Sequence, residues 1–436
     1  MPEKCILILL DGLGDRAYAS LSYRTPLQAA RTPVMDRIAA EGANGIYHPQ
    51  AVGLALPSEN AHFALFGYDI KDFPGRGALV ALGAGVDFSA GDVGILAHFA
   101  NVFEKNGILY MGDEKAPGTE FEAKALAETV ADFETENVRI HFHRFQGLQG
   151  VLTLKGEVSR HITDTNDMIN GIPLCEVLPW DTHKNDPAAQ KTSRVLKKYL
   201  TWVYHTLKTH PVNFARTTRG LLPLNCLVTQ RAGQLDKVVS FEKRFGLKGL
   251  SIASNNIFGG LARYLGMDFM MVSDSKKAGE DLAKRINSAV SLLDKYDFIH
   301  VHTKTPDEAA HRKNPVLKKE IIELLDEGLG KVIDVLFSHP EILLVLTSDH
   351  STPSSGPLVH SGETVPVVFC GKGIRRDTVC CFDEISASQG CLSCLRGPEI
   401  MYLIINHLER SKLMGIMDTP FDQYFWPGNF KPFRLR

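Results

Sequence analysis

Residues 344–366, LVLTSDHSTPSSGPLVHSGETVP, carry the pattern that decides the fold. An apolar run ends at Asp349 and His350, a loop of small residues follows, and His360 precedes a second apolar run. This order predicts a strand, a polar loop and another strand. Open α/β sheets bind ligands beyond the carboxyl ends of their strands, and carboxylate and imidazole groups are common metal ligands. The stretch therefore indicates half of a metal site, unless Asp349 only caps a turn beside two surface histidines.

The composition narrows the class of protein. The chain has 436 residues, and 48 Lys and Arg against 50 Asp and Glu give a formal net charge of -2. The absence of a basic tract or a long acidic run argues against a nucleic-acid partner or an anionic membrane surface. No apolar stretch reaches the length of a membrane span, and the first one is too short for a secretory signal. We therefore expect a cytoplasmic protein that acts on small molecules.

The start of the chain contains a similar pattern. A short apolar run, residues 5–10, predicts a strand that ends at Asp11, where Gly12 allows a tight turn. Further on, Ser58 directly precedes a run with helical spacing and so lies at the N-terminus of a predicted helix. The partial positive charge at that end would stabilise an alkoxide or a bound phosphate, although an ordinary N-cap serine is the more common explanation.

Another strand-like run, FIHVHT at residues 298–303, is followed by Asp307 and His311. On a helix that begins after Pro306, these two residues stand at i and i+4 and share one face, which allows a helix to offer two ligands to one metal. Such a pair alone usually belongs to a solvated helical face. Candidate ligands lie next to predicted strands at four places in this chain, however, at Asp11, Asp307 with His311, Asp349 with His350, and His360, and their joint occurrence favours one shared site.

The middle of the chain has a different character. Between about residues 85 and 235, strand-like pieces alternate with polar helices. We expect this segment to be an α+β domain that is inserted into the first domain as a cap. The flanking parts are expected to form a doubly wound, mostly parallel α/β sheet with helices on both faces. The predicted parts are residues 1–84 for the first half of the core domain, 85–244 for the cap and substrate domain, and 245–436 for the second half of the core.

Four of the eight cysteines, Cys380, Cys381, Cys391 and Cys394, lie close together near the end of the chain. Their spacing is compatible with a tetrathiolate zinc site. Adjacent cysteines do not easily converge on one tetrahedral ion, so we expect buried free thiols and no metal. Disulfides are not expected either, because the chain shows no secretory signal.

Motifs along nearly the whole chain resemble the alkaline phosphatase superfamily and, within it, the cofactor-independent phosphoglycerate mutases of the archaeal-type branch. The resemblance implies an alkaline phosphatase-like core domain. The motifs are LLDGLGDR at 9–16, PSENAHFALFGYD at 57–69, GRG at 75–77, SFEKRFGLKGLSIA at 240–253, DEAAH at 307–311, SDHSTP at 348–353, HSGETVPVVF at 360–369 and FDEIS at 382–386.

The resemblance implies two divalent metal ions, with manganese or zinc preferred and magnesium or cobalt as further options, and no requirement for 2,3-bisphosphoglycerate. It also implies that Ser58 is the nucleophile and forms a phosphoserine. Metal coordination and a helix N-terminus both make a serine hydroxyl easier to deprotonate. The implied ligands are Asp307, His311 and His360 for one ion, and Asp11, Ser58, Asp349 and His350 for the other.

Substrate recognition is the part in which this sequence departs from the family. Leu96 and Gln149 stand where relatives commonly carry arginine. Arginine binds phosphate and carboxylate groups with two parallel hydrogen bonds, and neither replacement can do so. The remaining candidates for substrate binding are Arg76, His98, Asp164 and Arg231.

Three functions follow from these observations. The first is a mutase of glycolysis that interconverts 3-phosphoglycerate and 2-phosphoglycerate, with a homo-oligomer as a possible assembly. The second keeps the phosphoserine chemistry on a different phosphate ester, as a phosphatase or a phosphotransferase, because the arginines of the cap are missing. The third is a degenerate metabolite-binding or scaffolding protein, and the complete set of ligand types argues against it.

Overall fold

The computed structural model describes residues 1–428 and 430–435. The chain forms two compact units: unit 1 comprises Met1–Phe73 and Val238–Arg436, and unit 2 comprises Pro74–Lys237. The predicted domain boundaries are therefore shifted, since residues 74–84 belong to unit 2 and residues 238–244 to unit 1.

The strands predicted around the candidate site are confirmed within one or two residues at each end. Fourteen strands lie in the described part of the chain: β1 (Lys4–Leu10), β2 (Ala43–His48), β3 (Val93–Lys105), β4 (Ile108–Asp113), β5 (Asp132–Thr135), β6 (Val138–Gln146), β7 (Gln149–Lys155), β8 (Cys226–Gln234), β9 (Gly249–Ala253), β10 (Asp268–Met271), β11 (Phe298–Thr303), β12 (Ile342–Thr347), β13 (Val365–Cys370) and β14 (Ser393–Arg396).

The helices connect these strands. Among the described residues, none of them is long and apolar enough to cross a membrane. They are α1 (Pro26–Ala29), α2 (Pro33–Ala40), α3 (Ser58–Leu65), α4 (Arg76–Gly83), α5 (Glu120–Val130), α6 (Pro187–Lys208), α7 (Pro211–Thr218), α8 (Phe241–Phe245), α9 (Asn256–Tyr264), α10 (Ala278–Ser291), α11 (Thr305–His311), α12 (Pro315–Gly330), α13 (Ile333–Ser338) and α14 (Glu399–His407).

Unit 1 is built on an eight-stranded sheet in the order β10-β9-β11-β1-β12-β13-β2-β14. The first five strands of this order are mutually parallel, and β13 runs antiparallel to both of its neighbours. Every residue of β11, β12 and β13 is buried, so both faces of the sheet are covered. This arrangement confirms the predicted doubly wound, mostly parallel α/β sheet.

The register of this sheet brings the functional loops to one edge. In the pairing of β1 with its neighbours, Leu10 lies opposite Thr303 of β11 and Leu9 lies opposite Thr347 of β12. The three strands therefore end at nearly the same level, and the residues that follow them emerge side by side. Since β13 is antiparallel, the loop that precedes it reaches the same edge.

Unit 2 contains a separate antiparallel sheet in the order β4-β3-β7-β6-β5, and β8 pairs with β3. Its core packs α6 against this sheet through residues such as Tyr199 and Val203, which confirms the predicted α+β character. Helix α4 also packs on this sheet, and a Cβ atom at Gly77 would lie only 2.1 Å from the carbonyl oxygen of Gly94. This close approach of helix and strand explains why α4 belongs to unit 2.

Candidate metal centre

Two carboxylates and one imidazole meet at the ends of β1 and β12. Asp11 and Asp349 are fully buried and His350 is 3 % exposed. The Nε2 atom of His350 lies 3.3 Å from Asp11 Oδ1 and 3.3 Å from Asp349 Oδ2, and one ligand atom of each residue could reach a common ion. Two carboxylates in a dry interior are costly unless a cation or a proton balances their charge.

Ser58 adjoins this group from the first turn of α3, as the sequence predicts. Its hydroxyl oxygen is 2.9 Å from His350 Nε2, and it donates a hydrogen bond to Asp11 Oδ1 at 3.3 Å. Pro57, and not Ser58, occupies the N-cap of α3, and the Ser58 hydroxyl contacts Asp11 and His350. The ordinary role of a serine at a helix start therefore does not account for this residue.

A second group lies beside the first. Asp307 is fully buried in α11, and its Oδ1 atom is 3.2 Å from His311 Nε2 and 3.5 Å from His360 Nε2. The rings of His350 and His360 stack with their centroids 3.9 Å apart, and Asp307, His350 and His360 could also share one ion. The structure thus brings all seven predicted ligands into one region of unit 1.

The orientation of His360 is typical of a metal-binding histidine. Its Nδ1 atom is 2.7 Å from the carbonyl oxygen of Leu56, to which it donates a hydrogen bond. The other ring nitrogen, Nε2, then keeps its lone pair on the side of Asp307. Hydrogen bonds of this kind select the tautomer of a histidine ligand and hold its ring.

The electrostatics of the group favour a cation. Burial raises the pKa of Asp11, but hydrogen bonds from His302 and His350 outweigh it and hold that pKa well below its usual range. Burial lowers the pKa of His350, but the charges of Asp349 and Asp11 outweigh it and raise that pKa to about 9. Without a metal, a proton on His350 thus compensates the carboxylates, and a divalent ion could take its place.

Two carboxylate oxygens support the same interpretation. Oδ2 of Asp307 and Oδ2 of Asp349 are buried and accept no hydrogen bond from the residues that the structure describes, although Lys304 Nζ lies 3.6 Å from the first and His62 Nδ1 3.2 Å from the second. Such oxygens are rare in folded proteins unless a ligand uses them. Oxygen and imidazole donors suit manganese and zinc, so the residues present fit a divalent metal ion.

Two buried histidines behind the site were missed in the sequence analysis. His302 of β11 has its Nε2 atom 3.0 Å from Asp11 Oδ2. His62 of α3 has its Nδ1 atom 2.8 Å from the Ser58 carbonyl oxygen and 3.2 Å from Asp349 Oδ2. The spacing of four residues between Ser58 and His62 was the available signal, because it places both on one face of the helix.

The four predicted substrate residues all belong to unit 2. Arg76, His98 and Arg231 line one cavity of about 810 Å³. Asp164 accepts a hydrogen bond of 2.7 Å from the backbone N–H of Arg231 and so supports that loop. Leu96 and Gln149, the two positions at which relatives commonly carry arginine, line the same cavity.

The cysteine prediction requires a correction. The thiols of the C-terminal group are free, but Cys380, Cys381 and Cys391 are exposed rather than buried, and Cys394 is half-buried. They lie around the short strand β14 and in loops, outside the hydrophobic core.

Comparisons with known proteins agree with this geometry. The Metalloenzyme superfamily profile matches residues 3–407. The 2,3-bisphosphoglycerate-independent phosphoglycerate mutase 2 of Methanocaldococcus jannaschii is 37 % identical over 432 residues, which are 97 % of each chain. The 2,3-bisphosphoglycerate-independent phosphoglycerate mutase of Methanopyrus kandleri is 36 % identical over 95 % of this chain and 99 % of its own.

Solved structures give the same result. The PH0037 protein from Pyrococcus horikoshii superposes with a TM-score of 0.79 at 28 % identity and covers 95 % of this chain and 100 % of its own. The cofactor-independent phosphoglycerate mutase from Thermoplasma acidophilum superposes with a TM-score of 0.67 at 29 % identity, over 93 % of this chain and 100 % of its own. This chain therefore belongs to the Metalloenzyme superfamily and, within it, to the family of 2,3-bisphosphoglycerate-independent phosphoglycerate mutases.

Proposed function

We propose that this chain is a metal-dependent phosphoglycerate mutase that interconverts 3-phosphoglycerate and 2-phosphoglycerate through a phosphoserine at Ser58. The observation that carries the proposal is the position of the Ser58 hydroxyl, which lies in the first turn of a helix whose N-cap is Pro57 and is in contact with Asp11 and His350. A serine so placed is free to act as a nucleophile.

The same proposal assigns two divalent ions, manganese or zinc, to the buried centre. Bound there, they would make the Ser58 hydroxyl easier to deprotonate and would balance charge on the phosphoryl oxygens. The convergence of the carboxylate and imidazole groups supports this assignment. The proposed ligands are Asp307, His311 and His360 for one ion, and Asp11, Ser58, Asp349 and His350 for the other.

In the proposed reaction, a bond forms between Ser58 Oγ and the phosphorus atom while the bond between phosphorus and the substrate oxygen breaks. The glycerate hydroxyl that is released takes up the proton that the serine has lost. The other hydroxyl of the same glycerate then forms a bond to phosphorus while the bond between phosphorus and Ser58 Oγ breaks, and the serine takes up the proton that this hydroxyl loses. The phosphoryl group is thus stored on the chain, so no 2,3-bisphosphoglycerate is required.

We propose that unit 2 supplies groups that bind the organic part of the substrate, namely Arg76, His98, Asp164 and Arg231. The convergence of three of them on one cavity supports this assignment. Leu96 and Gln149 on the same cavity imply that this chain holds its substrate with fewer arginines than its relatives. The proposed setting is the cytoplasm, with a soluble phosphorylated acid as the partner.

The test uses the purified protein loaded with manganese and supplied with 3-phosphoglycerate. Phosphorus NMR should show 2-phosphoglycerate forming faster than inorganic phosphate. In a parallel sample quenched in acid, peptide mapping by mass spectrometry should find phosphate on Ser58. Release of inorganic phosphate without 2-phosphoglycerate would favour a phosphatase, and phosphate on another residue would remove the proposed mechanism.

A further inference from the structure

We propose that Thr352, which belongs to neither predicted set of ligands, is a positioning residue that couples the two halves of the metal centre through its hydroxyl group. This inference rests on the proposed function, because it requires that both halves bind a metal ion. It adds to that function a physical link between the two ions.

The link is a pair of short contacts. The Thr352 hydroxyl donates a hydrogen bond to Asp307 Oδ1 at 2.9 Å. Its oxygen, Thr352 Oγ1, also lies 3.1 Å from His350 Nδ1. Asp307 is a predicted ligand of one ion and His350 of the other. Thr352 is fully buried, so water does not compete for these two contacts.

The chemistry of a hydroxyl group gives these contacts a direction. A hydroxyl has one proton to donate, and an ionised carboxylate can only accept, so the proton of Thr352 belongs to the bond with Asp307. The hydroxyl oxygen can then accept the N–H of His350 Nδ1. Nε2 is then the nitrogen that faces Ser58 and Asp11, and a metal ion bound there would take the place of its proton. One side chain thus orients the Asp307 carboxylate and selects the tautomer of His350.

The backbone of Thr352 is held on both sides. Its N–H donates to the carbonyl oxygen of Gly14 at 2.9 Å, and its carbonyl oxygen accepts a hydrogen bond of 2.9 Å from the buried Lys318 Nζ. Lys318 Nζ also donates to the Gly14 carbonyl oxygen at 2.8 Å. The loops after β1 and β12 are therefore tied together at this residue, and the hydroxyl group has little freedom to leave its two partners.

The space around the hydroxyl is also closed. A Cβ atom at Gly12 would lie 2.6 Å from Thr352 Oγ1 and 2.8 Å from Asp307 Cβ, and Gly12 has a φ of 65°. The glycine that follows Asp11 is thus required both by its backbone conformation and by the approach of Thr352. Metal binding in one half should change the metal affinity of the other half, because a shift of Asp307 or His350 must displace the same hydroxyl.

Thr347 provides a matched control in the same segment of the chain. It is also a fully buried threonine, but its hydroxyl donates to the carbonyl oxygen of Pro366 at 2.9 Å. Replacing either threonine with valine removes a buried hydroxyl group at nearly constant volume. Only the change at position 352 removes a contact with the predicted ligands.

The experiment measures binding of Mn²⁺ alone, by titration calorimetry, to protein from which metal has been stripped with a chelator. Thr352→Val should weaken binding of both ions by about 10–100-fold, as is usual when the hydrogen-bond partner of a metal ligand is lost. Thr352→Ser, which keeps the hydroxyl, and Thr347→Val should bind close to wild type. Circular dichroism checks that each variant is folded, and Thr352→Ala serves as a second hydroxyl-free variant if the valine does not fold.

Several outcomes would overturn the inference. Thr352→Val with wild-type affinity for both ions, or with a loss confined to one ion, would show that the hydroxyl does not couple the two halves. An equal loss in Thr347→Val would show that any buried hydroxyl of this segment has the same effect. A wild type that binds fewer than two ions would overturn the two-metal proposal itself, which distinguishes failure of the proposed function from failure of this inference.

Discussion

Unit 1 and unit 2 hold their predicted functional residues in different ways. In unit 1, the carboxylates of Asp11, Asp307 and Asp349 are fully buried, and each lies within 3.5 Å of a histidine nitrogen. In unit 2, Arg231 and Asp164 are exposed, and the cavity of about 810 Å³ has a wall of mixed polar and apolar residues. The carboxylates are thus fully buried where the chemistry is proposed, whereas the residues proposed to hold the substrate are exposed or only partly buried.

This difference follows from what each task requires. A metal ion accepts few ligand types in a narrow geometry, so the residues that hold it must come from strand ends whose register is set by the sheet. A small acid can be held by several combinations of donors, and these donors need water access until the substrate arrives. The changes at Leu96 and Gln149 lie in the second kind of site, and the first kind keeps every expected residue type.

The largest expected effect tests whether the chemistry resides in unit 1. Ser58→Ala should lower the turnover of 3-phosphoglycerate by at least about a thousandfold, because no other positioned nucleophile replaces the hydroxyl. The stability of the variant should change by no more than about 1 kcal/mol, since Ser58 is not the N-cap residue of α3 and replacing even an N-cap serine with alanine typically costs about that much. The measurements are steady-state kinetics and thermal unfolding of the manganese-loaded protein.

Two further variants separate the nucleophile from its surroundings. Ser251→Ala removes another buried hydroxyl of unit 1, which contacts His300, and should keep near-normal turnover. Asp307→Asn should lose activity by a different route, through weaker metal binding. Near-normal turnover in Ser58→Ala would contradict the proposed mechanism and would favour direct attack by a metal-bound hydroxide.

The sequence predicted the fold well where local patterns and tertiary structure agree. The run at 298–303 is a strand with those bounds, and all of its residues are buried, as is typical of a parallel strand in a sheet that is covered on both faces. Helix α10 ends at Ser291, since the N–H groups of Leu292 and Leu293 bond to carbonyl oxygens three residues earlier and tighten the chain into a turn.

Other features could not be predicted, because they depend on contacts between distant segments. The domain boundary was placed after α4, while the close approach of Gly77 to Gly94, which joins α4 to unit 2, leaves no local pattern. His302 alternates with apolar residues along β11 and has the appearance of a core residue. Its role beside Asp11 depends on the pairing of β1 with β11, which a single sequence does not reveal.

A smaller effect is expected from the cavity of unit 2. Arg231→Met should lower kcat/KM for 3-phosphoglycerate by about 10–100-fold, which corresponds to the loss of one hydrogen bond to a charged group. Binding of Mn²⁺ should not change, because the predicted metal ligands all belong to unit 1. Steady-state kinetics and metal titration measure the two quantities separately.

The control is Arg139→Met, an exposed arginine on β6 of the same unit that does not line this cavity. It should leave both quantities near their wild-type values. If Arg231→Met keeps normal kcat/KM, Arg231 is not a substrate residue. If Arg231→Met instead weakens Mn²⁺ binding, the assignment of metal binding to unit 1 and of substrate binding to unit 2 is wrong.

The last expected effect is on stability and concerns a carboxylate of unit 1 that is outside the predicted ligand set. Burial raises the pKa of Glu384 from its ordinary value of 4.5 to about 7, and a hydrogen bond from Thr25 opposes this only in part. The folded state therefore favours the protonated form. Between about pH 4.5 and pH 7 the unfolded chain ionises this group first, so its contribution to stability is lost as the pH rises through that window.

Glu384→Gln removes this titration while keeping an oxygen acceptor for the backbone N–H of Asp15 and placing an N–H donor near Thr25 Oγ1. At pH 8 the variant should be more stable than the wild type by roughly 3 kcal/mol, and below about pH 4 the difference should vanish. Glu323 is the matched control: burial raises its pKa, but hydrogen bonds from Lys319 and the Arg31 backbone outweigh it and lower that pKa. Glu323→Gln should therefore destabilise the protein at neutral pH. Free energies of unfolding in urea at several pH values measure both differences, and a pH-independent gain in Glu384→Gln would mean that its carboxyl group is not held protonated by burial.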